Sequence, residues 1–147
     1  MMQTIFTLGL VLWTAVVLSG ADLQNIRQEA NAERRSELAM ENASAALDAA
    51  KAAFQAGNAD AVRVAIEEVA ASADLAYTSL NESGKDARRS PKFFKKAELS
   101  ARQLLRRIEG LRDAVSFDER PMVEKVKERV TEIHDELIRS IMAPKKK

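Results

Sequence analysis

The side chains with the strongest potential for chemistry are His134, the single histidine, and two acidic pairs, Glu67-Glu68 and Asp135-Glu136. The chain has no cysteine, so it offers neither a thiol nucleophile nor a thiolate metal ligand. A di-iron site in a helical bundle needs a glutamate three residues before its histidine, and Thr131 stands there instead. The acidic pairs lie among ordinary surface charges, with no apolar pocket to separate the pKa values of their two carboxyls. We therefore expect a protein without enzymatic activity, bound metal or cofactor.

Met40 and His134 support one alternative, a haem site. In an antiparallel bundle the two residues would lie at nearly the same height, one on the first helix and one on the last. This layout resembles that of the periplasmic four-helix b-type cytochromes, whose haem iron is held by a methionine on the first helix and a histidine on the last. The resemblance implies an electron-transfer protein that binds haem through Met40 and His134. The alanine-rich first and second helices favour close packing over a haem slot, so this stays the alternative hypothesis.

The N-terminal segment is typical of an export signal. An apolar run extends over residues 5–18, and Ser19 and Ala21 supply the small side chains of a cleavage site. The run is short for a membrane-spanning helix, which needs about 20 apolar residues. We therefore predict a signal peptide over residues 1–21, cleavage after Ala21, and an exported protein that is periplasmic or secreted. The first four residues carry no lysine or arginine, which leaves an uncleaved N-terminal anchor as the alternative.

Apolar residues with helical spacing fill the rest of the chain, and Gly57-Asn58, Ser90-Pro91 and Pro121 interrupt them. Short connections place consecutive helices antiparallel. Residues 22–142 are therefore predicted to form an all-α, antiparallel up-down four-helix bundle, in which Phe117 acts as a hydrophobic staple before the last helix. The predicted helices cover residues 22–56, 59–82, 91–115 and 119–142, and a basic tail covers 143–147.

Charge is divided unevenly between the two halves of the chain. Residues 22–82 hold 11 acidic and 5 basic side chains, whereas residues 83–147 hold 11 acidic and 18 basic ones. The densest basic cluster lies around the start of the third predicted helix, where the helix dipole already makes the potential positive. We interpret this cluster as a candidate surface for binding a partner or an anion. Its residues are Arg88, Arg89, Lys92, Lys95, Lys96 and Arg102.

Two main explanations of this basic cluster are open, beside an incidental solvated surface. In the first, the lysines pair internally with Glu29, Glu33 and Glu37, which an antiparallel arrangement places at the same height. In the second, they bind a protein or an anionic component of the cell envelope. Few aromatic residues accompany the basic ones, so nucleic acid is a disfavoured partner. The complementary charges of the two halves leave a homo-oligomer open. The sequence thus predicts an exported, non-enzymatic helical bundle that serves as a structural or interaction module in a cell envelope.

Overall fold

The computed structural model describes residues 19–144, with side chains from Asp22 onward, and all regular structure in that range is helical. Residues 1–18 of the predicted signal peptide and Lys145 to Lys147 of the predicted tail lie outside the described residues. Within the described range, no helix combines the length and the apolar character needed to cross a membrane. The helices are α1 (Ser19–Arg27), α2 (Ala32–Gln55), α3 (Ala59–Glu82), α4 (Pro91–Ala114) and α5 (Arg120–Met142).

Local capping sets the helix boundaries. The side chains of Asn31 and Asn58 accept hydrogen bonds from the backbone N–H groups of Arg34 and Ala61, at 2.8 and 3.0 Å, and so begin α2 and α3. Gly57 adopts a φ of 70° after α2, a left-handed conformation that glycine reaches without a steric penalty. These caps explain where α2 and α3 begin and where α2 ends.

The core confirms the helical periodicity. The apolar faces of α2 to α5 meet in one continuous cluster, and each fully buried aliphatic or aromatic side chain contributes about 1.5–3 kcal/mol. On α2 and α3 the buried face is rich in alanine, which lets these two helices pack closely. The largest fully buried side chains include Leu47, Ile66, Leu80, Ile108, Ile133 and Leu137.

The bundle consists of two antiparallel hairpins, α2–α3 and α4–α5, stacked on one another. Across the stack α2 packs against α4 and α3 against α5, whereas α2 and α5 make no contact anywhere in the described part of the chain. Glu37 pairs with Lys96 near the start of α2 and α4, and Asp48 pairs with Arg107 further along both. The neighbouring helices α2 and α4 therefore run in the same direction.

The helix predicted over residues 22–56 is interrupted, so that prediction was wrong for residues 28–31. The chain turns between Arg27 and Ala32, and α1 packs back against α2 and α3 through the buried Leu23 and the half-buried Ile26. The carbonyl of Glu29 accepts a hydrogen bond of 2.7 Å from the Arg35 guanidinium, which fixes the turn. Capping by Asn31 and burial of two apolar side chains outweigh helix continuation here.

Phe117 does not form the predicted hydrophobic staple. Its side chain is 83% exposed in the connection between α4 and α5. The connection is instead held by polar contacts, since the backbone N–H of Ser116 donates to the Glu119 carboxylate at 3.3 Å. Val115 and Val123 on either side of the connection are buried in the core without the ring.

Candidate interaction surface

Three of the six predicted contact residues are engaged by carboxylates of the same chain. Arg88 pairs with Asp86 at 2.8 Å and also donates to the carbonyl of Pro144, which ties the connection after α3 to the end of α5. The Arg88 hydrogen bonds lower the pKa of the Asp86 carboxyl to about 2. Arg102 makes a two-nitrogen contact with Glu98, at 2.7 to 3.0 Å. Both guanidinium groups are therefore engaged in contacts within the chain.

The internal pairing predicted with Glu29, Glu33 and Glu37 is present in part. Lys96 contacts Glu37, with 2.5 Å between Nζ and Oε1, and Lys85 contacts Glu33. Hydrogen bonding to Lys96 lowers the pKa of the Glu37 carboxyl. Glu29 does not join these pairs, because its carboxylate accepts from the backbone N–H of Asn31 at 3.1 Å.

Arg89, Lys92 and Lys95 form the part of the cluster that points to solvent. All three side chains are exposed, and none has a carboxylate within 4.0 Å in the part of the chain that the structure describes. The Lys92 ammonium lies 5.3 Å from the centre of the Phe93 ring. All three lie at the N-terminus of α4, where the helix dipole adds to their positive potential and where Ser90 makes no side-chain cap. We call these three residues the cationic end of α4.

A groove runs between the parallel helices α2 and α4, beside the cationic end of α4. Its volume is about 420 Å³, within the range of about 300–1,000 Å³ that small-molecule sites occupy. Its floor combines apolar and small polar side chains. The floor residues are Ser36, Met40, Ser44, Phe93, Ala97, Ser100 and Leu104.

The two walls of the groove carry opposite charges. The α2 wall presents carboxylates, among them Glu37 and Glu41, and the α4 wall presents Lys96, Arg106 and Arg107. Arg107 is held by Asp48 and by the Ser44 hydroxyl, which accepts its hydrogen bond at 2.7 Å. Arg106 is exposed and has no ion-pair partner among residues 22–144. It extends the unpaired positive charge along α4.

The structure does not bring the predicted haem pair together. Met40 is buried on α2 and faces the groove, whereas His134 lies on α5. The Nε2 atom of His134 is 2.9 Å from Oε1 of Glu98, and the same carboxyl is bound by Arg102. Hydrogen bonds from Arg102 and then His134 lower the pKa of Glu98. Among the described residues, no three potential metal ligands of the His, Cys, Asp or Glu types cluster together.

Glu68 is a buried carboxyl, although the Glu67-Glu68 pair was predicted to lie among surface charges. It is only 8% exposed, whereas its neighbour Glu67 lies on the surface. Asn42 of α2 donates to both Glu68 and the Ser72 hydroxyl, at 3.2 and 2.8 Å. Burial raises the pKa of Glu68. Helical spacing could have predicted this burial, because Glu68 lies three residues after Ala65 and four before Ser72, on the small-residue face of α3.

Comparison with known proteins adds no assignment to this geometry. No family model, no curated protein and no solved structure matches the chain.

Proposed function

We propose that this protein is an exported, non-enzymatic interaction module of a cell envelope that binds an anionic membrane surface. Export rests on the apolar run of residues 5–18 and the small residues Ser19 and Ala21 that follow it. In this proposal residues 1–21 are removed as a signal peptide, and the four long helices α2 to α5 form the stable part of the mature domain. The non-enzymatic assignment rests on composition, since the chain has no cysteine and a single histidine.

The cationic end of α4 is the observation that carries this proposal. Arg89, Lys92 and Lys95 keep their charge exposed at a helix N-terminus, although carboxylates would be the stabilising choice at that position. The rest of the basic cluster is paired within the chain, which shows that acidic partners are plentiful. No carboxylate of the described chain neutralises this end, so it is open to an external anion, which supplies the missing partner.

Binding to lipid vesicles tests this proposal. We expect the mature protein to co-sediment with vesicles of phosphatidylcholine and phosphatidylglycerol at low salt, and to lose that binding as added salt screens the attraction. Replacing Lys92 and Lys95 by glutamine removes two charges from the cationic end of α4. We expect this double variant to bind the anionic vesicles at least about tenfold more weakly, because each basic residue near such a surface contributes about 1 kcal/mol.

A matched control separates this site from general electrostatics. Arg27 in the last turn of α1 and Lys125 within α5 are also exposed, and their replacement by glutamine changes the net charge by the same amount. We expect this control to bind nearly as well as the unaltered protein. Equal weakening by both double variants, or retention of full binding by the Lys92 and Lys95 variant, would contradict the assignment to the cationic end of α4.

A further inference from the structure

The carboxyl of Glu68 lacks a partner for one of its oxygens. Oε1 accepts a hydrogen bond from Asn42, whereas Oε2 is buried and has no hydrogen-bond partner in the described structure. A buried acceptor without a partner is destabilising, and more so when the group is charged. The site between α2 and α3 therefore lacks a hydrogen-bond donor for Oε2 of Glu68.

Helix α1 packs on the same two helices and brings a second negative charge to bear on this site. It packs only against α2 and α3 in the described range, and Leu23 is buried in the contact. The charge of Asp22, next to Leu23, raises the pKa of Glu68 in addition to the effect of burial. Asn42 donates to Glu68, Ser72 shares that amide donor, and the charge of Asp22 acts on the carboxyl, and none of these three groups is a cation. What the site lacks is a positively charged hydrogen-bond donor.

We propose that Glu68 is the receptor for the α-ammonium group of Asp22, created when the leader is removed after Ala21. This inference rests on the proposed export and cleavage. Hydrolysis of the Ala21–Asp22 peptide bond by a leader peptidase consumes one water, leaves a carboxylate on Ala21 and leaves an ammonium group on Asp22. The new cation appears on the residue of α1 whose own charge already acts on Glu68.

Cleavage strengthens the packing of α1 in the processed chain for two reasons. An ammonium group carries three donors and a positive charge, so it satisfies the orphaned Oε2 and offsets the repulsion between Asp22 and Glu68. A positive charge at a helix N-terminus is unfavourable by itself, and pairing with Glu68 offsets that cost as well. Cleavage therefore fastens α1 to the α2–α3 hairpin, and the processed chain holds this helix more firmly than the precursor does.

A two-by-two comparison tests the pairing. One chain begins at Asp22 with a free amine and the other begins at Asp22 with an acetylated amine, and each is made with Glu68 and with Glu68→Gln. In the free-amine chain we expect Glu68→Gln to lower the melting temperature, because the ammonium loses its partner. In the acetylated chain we expect the same substitution to raise it, because a buried charge without a cation is removed. Shifts of equal sign and size in the two chains would overturn the inference.

Glu67→Gln is the matched control, because Glu67 is the exposed neighbour of the buried carboxyl. We expect it to shift the melting temperature equally in both chains. Titration of the amine by NMR gives a second measurement on the unsubstituted protein, so the test does not depend on a variant that folds. An amine paired with Glu68 should show a pKa above about 9, compared with about 8 for a free N-terminus. An ordinary pKa would contradict the pairing.

The fate of the leader is checked separately by the mass of the protein exported from its own cells. A mature chain that begins at Asp22 supports the proposed processing, and a chain that begins elsewhere contradicts it. The two-by-two comparison uses chains of defined start, so its result tests the Glu68 pairing alone. Failure of the proposed export and failure of this inference are therefore distinguishable.

Discussion

Single side chains in this protein divide into charges that hold the two hairpins together and charges that face solvent. The Glu37–Lys96 pair belongs to the first group, and Lys92 belongs to the second. The sequence identified the residues of both groups, because their types and rough heights follow from helix length. It could not divide them, because pairing depends on the rotation of α4 about its axis, and a shift of one residue turns a side chain by about 100°.

The Glu37–Lys96 pair gives a prediction that depends on pH. Lys96→Gln should lower the free energy of unfolding by less than about 1 kcal/mol at neutral pH, because the Lys96 side chain is 59% exposed and solvent screens the pair. Pairing lowers the pKa of Glu37 below its unfolded value, so its contribution is complete above the unfolded pKa and is lost as pH falls through the folded pKa. The effect of Lys96→Gln should therefore vanish in acid.

Urea unfolding of the unaltered protein and the variant, at neutral pH and at acidic pH, measures this difference. Lys92→Gln is the control, since it removes the same charge from a lysine without a carboxylate partner in the described structure. We expect it to leave stability unchanged within error. If Lys96→Gln and Lys92→Gln had the same effect at every pH, the Glu37–Lys96 contact would not contribute to folding.

Among the helices, α1 is the element that the sequence pattern failed to separate. The apolar seams of α2 to α5 repeat over three heptads or more, and such long patterns identify helices reliably. The segment from Asp22 to Asn31 has only Leu23 and Ile26 to bury, so periodicity could not show that the chain reverses there. Asn31 could have predicted the start of α2, because it caps α2 in the same way as Asn58 caps α3.

The packing of α1 predicts a local rather than a global effect of substitution. Leu23 is buried against α2 and α3, and α1 has no contact with α4 or α5 in the described structure. Leu23→Ala should therefore release α1, since replacing a buried leucine by alanine costs about 2–5 kcal/mol and the half-buried Ile26 is the other apolar contact of α1 in the described structure. Hydrogen exchange of the α1 amides should accelerate at least about tenfold, with α4 and α5 unchanged.

Gln24→Ala is the control for this exchange experiment, because Gln24 is the exposed neighbour of Leu23. It should leave the protection of α1 as it is. Faster exchange throughout the bundle in Leu23→Ala would show that α1 is part of the cooperative core, contrary to the contacts described above.

In the whole molecule, the two hairpins pack together through their apolar faces, and ion pairs join them at the surface. Glu37, Asp48 and Asp74 lie on the first hairpin, and their partners Lys96, Arg107 and Arg129 lie on the second. Part of the uneven charge of the two halves, visible in the sequence, is thus used between them. What the sequence could not provide is which helices are neighbours, because a heptad seam shows that a face is buried and not which helix covers it.

The most direct test of this arrangement is a distance measurement across the stack. The chain has no cysteine, so nitroxide labels attach only at introduced ones. Ser44 and Gln103 line the same groove from α2 and α4, and Glu132 of α5 lies near the height of Gln103, as the contacts Glu98–His134 and Glu109–Lys127 indicate. Pulsed EPR should give a shorter distance for labels at 44 and 103 than for labels at 44 and 132. A shorter distance between 44 and 132 would place α2 beside α5 and contradict the stacked hairpins.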